Sequence, residues 1–384
     1  MEISNFNQIK NPEIVVSSEA LGSLIKRISR EPVLAFDLEA DSLHHYREKV
    51  CLIQVSTVSE TVLIDTLSLP DLSPLALIMA DPAIRKVFHG ADYDIRSLHR
   101  EFGMEVNSLF DTMVACQLLG YKELGLAAVL KGRFGLELDK RYQKADWSKR
   151  PLSPEMIEYA AKDTSMLIEL SRQLEGELRV KGRLSWAMEE FELLSKVRTA
   201  SREEEPLYVR FKGAARMEPR TLAVLEGLLR LRDEAAMQRD LPPFKVLSAD
   251  TLRELSEKRP LRNAELAGIT GLTPKLIDRY GSKIISIIAN AVGIPEEKLP
   301  RYPRSPRPMQ YRRKEEVLKE LKRWRESKAS GLGMDAGIIA NNSLLETLAE
   351  NLPRDVKGLE SITAMKDWQR KEFGAELTAL LAVE

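Results

Sequence analysis

Two periodicities divide this chain. Up to about residue 110, short apolar runs of strand length alternate with stretches of helical spacing, and beyond about residue 205 only the helical spacing remains. The runs 33–38, 50–56 and 61–65 follow one another closely, which suits an antiparallel meander. The later runs, 85–88 and a short one at Leu109, are set apart by helical stretches, which calls for parallel crossovers. The expected fold class is therefore α/β: a mixed sheet flanked by helices, followed by all-α modules. Residues 154–170 read as one helix, with Ser153 as N-cap and Pro154 at the first helical position.

The helical part repeats itself. Leu225, Leu228, Arg230 and Arg232 align with Leu318, Leu321, Arg323 and Arg325 at an offset of 93, and the same offset pairs Leu266, Ile269, Tyr280 and Gly281 with Leu359, Ile362, Phe373 and Gly374. A duplicated helical module is the simplest account. Between the copies, residues 293–308 hold five prolines, which predicts a stiff, extended linker. The expected organisation is a first domain over 1–205, helical modules over 206–292 and 311–384, and a linker over 293–310.

At 384 residues the chain exceeds one ordinary core, and 43% apolar with 30% charged residues fits a folded globular protein. No apolar run reaches membrane-spanning length, and the start of the sequence lacks a basic flank with an apolar segment, so a membrane or secreted role is not expected. Only Cys51 and Cys116 occur, which rules out a disulfide framework and makes a cytoplasmic location the expectation. Net charge is zero overall, but residues 1–180 carry 21 Lys and Arg against 27 Asp and Glu, so the remainder is basic by six. Residues 301–328 concentrate that excess, with 11 Lys and Arg against 4 Glu around Tyr302, Tyr311 and Trp324. That segment is the first candidate for nucleic-acid backbone contact outside the site, against the alternative of a solvated linker and a charged helix with Trp324 in the second module's core.

The candidate chemistry lies in the acidic part. Asp37 and Glu39 stand two apart at the end of a strand and so face one side. Tyr159 and Asp163 stand four apart on a helix and share a face. Asp94 follows another strand end and the turn at Gly90. Hard oxygen ligands in a small cage are what two-metal phosphoryl transfer requires. Each piece alone also fits a solvated strand end, a helix cap or an ordinary helix-face pair; their conjunction carries the weight.

The strings FDLEADS, CLIQVST, FHGADYDI, LFDT, DKRYQKADWSKRPL and YAAKDT occur in this order between residues 12 and 180. This stretch resembles the DEDD superfamily of 3'-5' exonucleases, in its tyrosine subclass, and most closely the ribonuclease D family. The histidine subclass would place His where Glu158 stands. The two helical copies resemble the HRDC domain. The resemblance implies a ribonuclease H-like sheet and two Mg2+ or Mn2+ ions held by Asp37, Glu39, Asp94 and Asp163. It further implies Tyr159 as the residue orienting the attacking water, and removal of nucleotides from the 3' end of structured RNA such as tRNA precursors. The sequence leaves the oligomeric state open, with a monomer favoured. A DNA exonuclease and a catalytically silent nucleic-acid-binding protein are the alternatives.

Around the cage, Arg150, Trp147 and His89 are candidate substrate-binding residues. Arg150 suits a phosphate, with pairing to an acid as its rival role; Trp147 can stack a base or pack under the last helix; His89 can face the site or bond locally. Asp111 is expected to support the fold beside the cage. The turn 267–273 can offer N–H groups to a phosphate or simply join two helices. A fragment ending near residue 205 is expected to retain cleavage of short oligonucleotides.

Overall fold

The structure is a computed structural model that describes residues 12–199, 205–303 and 311–382. Its sheet has six strands: β1 (Glu13–Val15), β2 (Val33–Ala40), β3 (Val50–Ser56), β4 (Thr61–Ile64), β5 (Arg85–Phe88) and β6 (Leu109–Asp111). They lie in the order β1-β4-β3-β2-β5-β6. The β2–β3 and β3–β4 pairs are antiparallel, and β5 and β6 add in parallel on the other side of β2, as the run spacing predicts. Strand β1, parallel to β4, is an addition: three residues are too few to register as a periodic run.

Helices α1 (Ser18–Ile28), α2 (Ser73–Ala80), α3 (Asp92–Phe102), α4 (Thr112–Leu119), α5 (Leu126–Phe134), α6 (Pro154–Ser165), α7 (Leu167–Val180) and α8 (Leu184–Ser195) accompany the sheet. The single helix expected over 154–170 is two. Ser153 does cap α6, accepting from the Met156 N–H, but the run breaks at Met166. Thr164 and Ser165 precede the break, with the Thr164 hydroxyl bonded to Ser56 at 2.7 Å and that of Ser165 turned back to the Lys162 carbonyl. Hydroxyl side chains that bond locally compete with the helical ladder.

The offset of 93 holds helix by helix. The first module comprises α9 (Pro219–Arg239), α10 (Pro243–Val246), α11 (Ala249–Lys258), α12 (Asn263–Leu266) and α13 (Pro274–Val292). The second comprises α14 (Tyr311–Leu332), α15 (Ala336–Ile339), α16 (Asn342–Asn351), α17 (Val356–Glu360) and α18 (Asp367–Leu381). Even the left-handed residues that end helices correspond, Asp240 with Gly333 and Arg259 with Leu352. The turn 267–273 joins α12 to α13, with Thr273 capping the latter. Residues 304–310 of the proline-containing stretch lie outside the described residues.

The chain forms two compact units. One is Asp41–Lys49 with Ala200–Pro306, in which the first module has its own core and Asp240 accepts from the Tyr46 N–H at 3.1 Å. The other is Met1–Ala40, Val50–Thr199 and Arg307–Glu384, so the second module belongs with the sheet and shares its hydrophobic core. Trp186 of α8 stacks on Trp368 of α18 with centroids 4.7 Å apart. Glu189 accepts from the Asp367 and Trp368 N–H groups at the start of α18, and Glu190 accepts from Lys366 Nζ and Trp368 Nε1. Arg183 bridges the carbonyls of Leu118 and Leu332. Gly120, at φ 88°, lets the backbone pass the Gly333 carbonyl; a Cβ there would lie 1.8 Å from that oxygen. Trp324 packs edge-on against Phe373 and donates to Glu376, so its indole belongs to this module's packing.

Candidate active site

The end of β2 carries both strand carboxylates on one face, and a register shift between Glu39 and Ala40 against β3 follows directly. The same face packs under α6, which brings Tyr159 and Asp163 over the strand end. Carboxylate oxygens of Asp37, Glu39 and Asp163 come within 4.8 Å of one another. Asp94, in the first turn of α3, stands outside that triangle but close enough for the Asp37 charge to disfavour its ionised form. Tyr159 makes a side-chain hydrogen bond with Asp163. A cavity of about 580 Å3 opens on Asp37, Glu39, Tyr159 and Asp163, walled by residues 123–128 and 138–140.

The electrostatics are those of a site that needs cations. Burial is the largest effect on every carboxyl of the cage: Asp37 is pushed up to about 7 against the Leu38 N–H, and Glu39, Asp94 and Asp163 are raised well above the ordinary range, with neighbouring carboxylates adding to the shift. The Tyr159 phenol is raised by burial and then by the charges of Asp163, Glu39 and Asp37, so it keeps its proton. Three converging hard-oxygen donors, held this reluctant to ionise without positive charge, fit a divalent metal and fit no soft one.

Asp111 holds the approach to Asp94. Its carboxylate accepts from the N–H groups of Gly90 and Ala91 at 3.1 and 2.6 Å and from those of Met113 and Val114 at 2.8 and 2.9 Å, fixing the turn before α3 and capping α4. Its supporting role was legible from LFDT, although the cap spacing alone does not disclose the two bonds to the Gly90 turn. His89 bonds Thr112 Oγ1 at 2.9 Å through Nδ1 and the Leu124 carbonyl at 2.8 Å through Nε2, so it ties the end of β5 to the cavity wall. Burial lowers its pKa, partly offset by the Asp111 charge.

The other two candidate substrate-binding residues turn inward. Arg150 clasps Asp65 with bonds of 2.6 and 2.8 Å and donates to the carbonyls of Cys51, Trp147 and Lys149, which occupies all five guanidinium donors and leaves none for a phosphate. Burial favours the neutral form of Asp65, but Arg150 holds it below the ordinary range. Trp147, 1% exposed, packs beneath Tyr159 with ring centroids 6.1 Å apart and cannot stack a base from there. Tyr142 meets Tyr159 from another side at 5.8 Å. Both corrections arise from partners far away in sequence. Sequence reasoning also missed Gln54, directly opposite Asp37 on β3, whose buried amide has no hydrogen-bond partner. Inside CLIQVST it reads as one polar residue in a buried strand, and only the register sets it beside the cage.

Residues 12–179 match the 3'-5' exonuclease family, and residues 221–288 and 314–381 each match the HRDC domain, again 93 apart. A ribonuclease D from Shewanella sp. is 31% identical over 278 residues, covering 72% of each chain. The chain belongs to the ribonuclease D family. The ribonuclease D of Granulibacter bethesdensis is 29% identical over 382 residues, spanning 97% of this chain and 93% of that one. The crystal structure of Escherichia coli RNase D, described as an exoribonuclease involved in structured RNA processing, superposes with a TM-score of 0.74 at 25% identity over 97% of this chain and 98% of that one. As a ribonuclease D family member the chain is a 3'-5' exoribonuclease, and the acidic cluster is its candidate metal centre.

Proposed function

We propose that this enzyme trims the 3' ends of structured RNA, tRNA precursors among them, one nucleoside 5'-monophosphate at a time. The observation that carries the catalytic part is the meeting of Asp37, Glu39 and Asp163 oxygens within 4.8 Å, with Asp94 and Tyr159 beside them. The structured-RNA part is supported by the likeness to the Escherichia coli enzyme over nearly the whole chain. Bound at the four carboxylates, two Mg2+ or Mn2+ ions would supply charge to the attacking and leaving oxygens.

The chain's own groups do the positioning. Asp37 and Asp163 form the centre of the ligand set, Glu39 one flank and Asp94 the other. The protonated Tyr159 phenol, backed by Trp147 and Tyr142, orients the attacking water, with Glu39 as that water's second partner. Water attacks the last phosphodiester in line, the bond from phosphorus to the preceding nucleotide's 3'-oxygen breaks, and the shortened strand keeps a 3'-hydroxyl.

The test uses 5'-labelled and 3'-labelled tRNA precursors and matched DNA strands with Mg2+, Mn2+ or EDTA, resolved at single-nucleotide length. Mononucleotide release from RNA 3' ends with metal and none with EDTA is expected. Asp37→Asn should abolish cleavage without changing the fold; cleavage at the wild-type rate by that variant refutes the assignment, and preferential digestion of DNA refutes the substrate class.

A further inference from the structure

The cavity over the carboxylates continues past them. It shares Glu123, Ala127, Ala128, Leu138 and Lys140 with a second cavity of about 460 Å3, so the two form one trench. The floor of the outer part is one face of α5: Ala127, Ala128, Lys131 and Gly132 stand at helical spacings that put them on a common side. Three of the four are too small to obstruct a strand laid along the helix. The fourth is a cation, one turn and about 6 Å along the axis from Ala127.

Another exit leads past Leu138, Asp139 and Tyr159 into a recess of about 230 Å3, but it suits a polyanion poorly. Its lining sets four carboxylates against two cations, Arg141 and Lys162, whereas the α5 trench balances Glu123 and Glu137 with Lys131 and Lys140. In the α5 trench, Lys131 is bonded to Glu137 at 2.8 Å, but with side chains 67% and 76% exposed this pair is screened by water and readily exchanged. Glu137 thus occupies the lysine where a phosphate would.

Building on the exonuclease reading above, we propose that the RNA strand upstream of the scissile nucleotide runs along α5, and that Lys131 exchanges Glu137 for a backbone phosphate. Glu137 is then a competitor whose removal tightens binding. Opposite signs for the two partners separate this from a role in stability, where loss of either would act in the same direction.

The test measures binding of the full chain to a labelled 12-nucleotide single-stranded RNA in EDTA, so that no cleavage intervenes, between 50 and 200 mM salt. Each phosphate contact contributes about 0.7 to the slope of log affinity against log salt on single strands. Lys131→Ala should lower the slope by about that amount, so that the wild-type advantage shrinks about 2.5-fold across this range. Glu137→Gln should bind more tightly than wild type, and Arg141→Ala should match it in slope. Unchanged slope and affinity in the Lys131 and Glu137 variants, or a lowered slope in Arg141→Ala, overturn the path. The same preparations assayed with Mn2+ keep the two readings apart: mononucleotide release by wild type alongside unchanged Lys131→Ala binding sinks the path alone, while its absence sinks the exonuclease assignment on which the path rests.

Discussion

Removing the Trp368 indole should unfold more than the second helical module. Trp368 is 3% exposed and stacks on Trp186, itself 8% exposed, at 4.7 Å and 20°. Phe373 meets both rings edge-on, and Glu190 takes the indole N–H at 2.8 Å. Truncating a buried Trp to Ala costs about 3–5 kcal/mol. Losing the hydrogen bond to a charged acceptor argues for the upper half, although Glu190 keeps Lys366. Taking about 4 kcal/mol, and roughly 2–4 °C per kcal/mol for a unit of this size, Trp368→Ala should lower the melting temperature by roughly 8–16 °C. Tryptophan fluorescence reads the right transition, because all four tryptophans lie in the unit containing the sheet. A fragment ending at residue 205 exposes Trp186 and strands Glu189 and Glu190, so it should melt lower still. A variant melting within about 2 °C of wild type, or a fragment as stable as the intact chain, would refute the shared core.

Further tests address the cage and its supports. The raised carboxyl of Asp37 gives a definite sign: the folded form holds its proton to about 7 while the unfolded chain loses it near 3.8, so the metal-free protein should lose stability as pH rises between these values. A divalent cation bound at the cage would displace that proton, so the gain in melting temperature on adding Mn2+ should be larger at pH 8 than at pH 5.5; equal gains would contradict the account. Arg150→Ala leaves Asp65 buried without its cation and should destabilise by about 3 kcal/mol in urea titrations, with RNA affinity unchanged. A large affinity loss at unchanged stability would restore Arg150 as a phosphate ligand. Tyr159→Phe should lower kcat while leaving KM near wild type, and an unchanged kcat would remove the water-orienting role.

Relations set by local spacing were legible from the residues alone. Two carboxylates two apart on a strand face one way, a tyrosine and an aspartate four apart share a helix face, and a repeat offset of 93 carries each helix of one module onto the other. Such relations follow from backbone periodicity and need no knowledge of distant partners. Tertiary structure alone decided which partner each side chain took. Arg150 could have met a phosphate until Asp65, 85 residues earlier, claimed it; Trp147 could have stacked a base until Tyr159 covered it. The two modules share a pattern, yet only the second presents Trp368, Lys366 and Gly333 to Trp186, Glu190 and Gly120. Long-range pairing depends on shape and charge brought together by folding, and many pairings are compatible with one pattern of apolar positions; the fold selects the set that leaves the fewest buried groups unpaired.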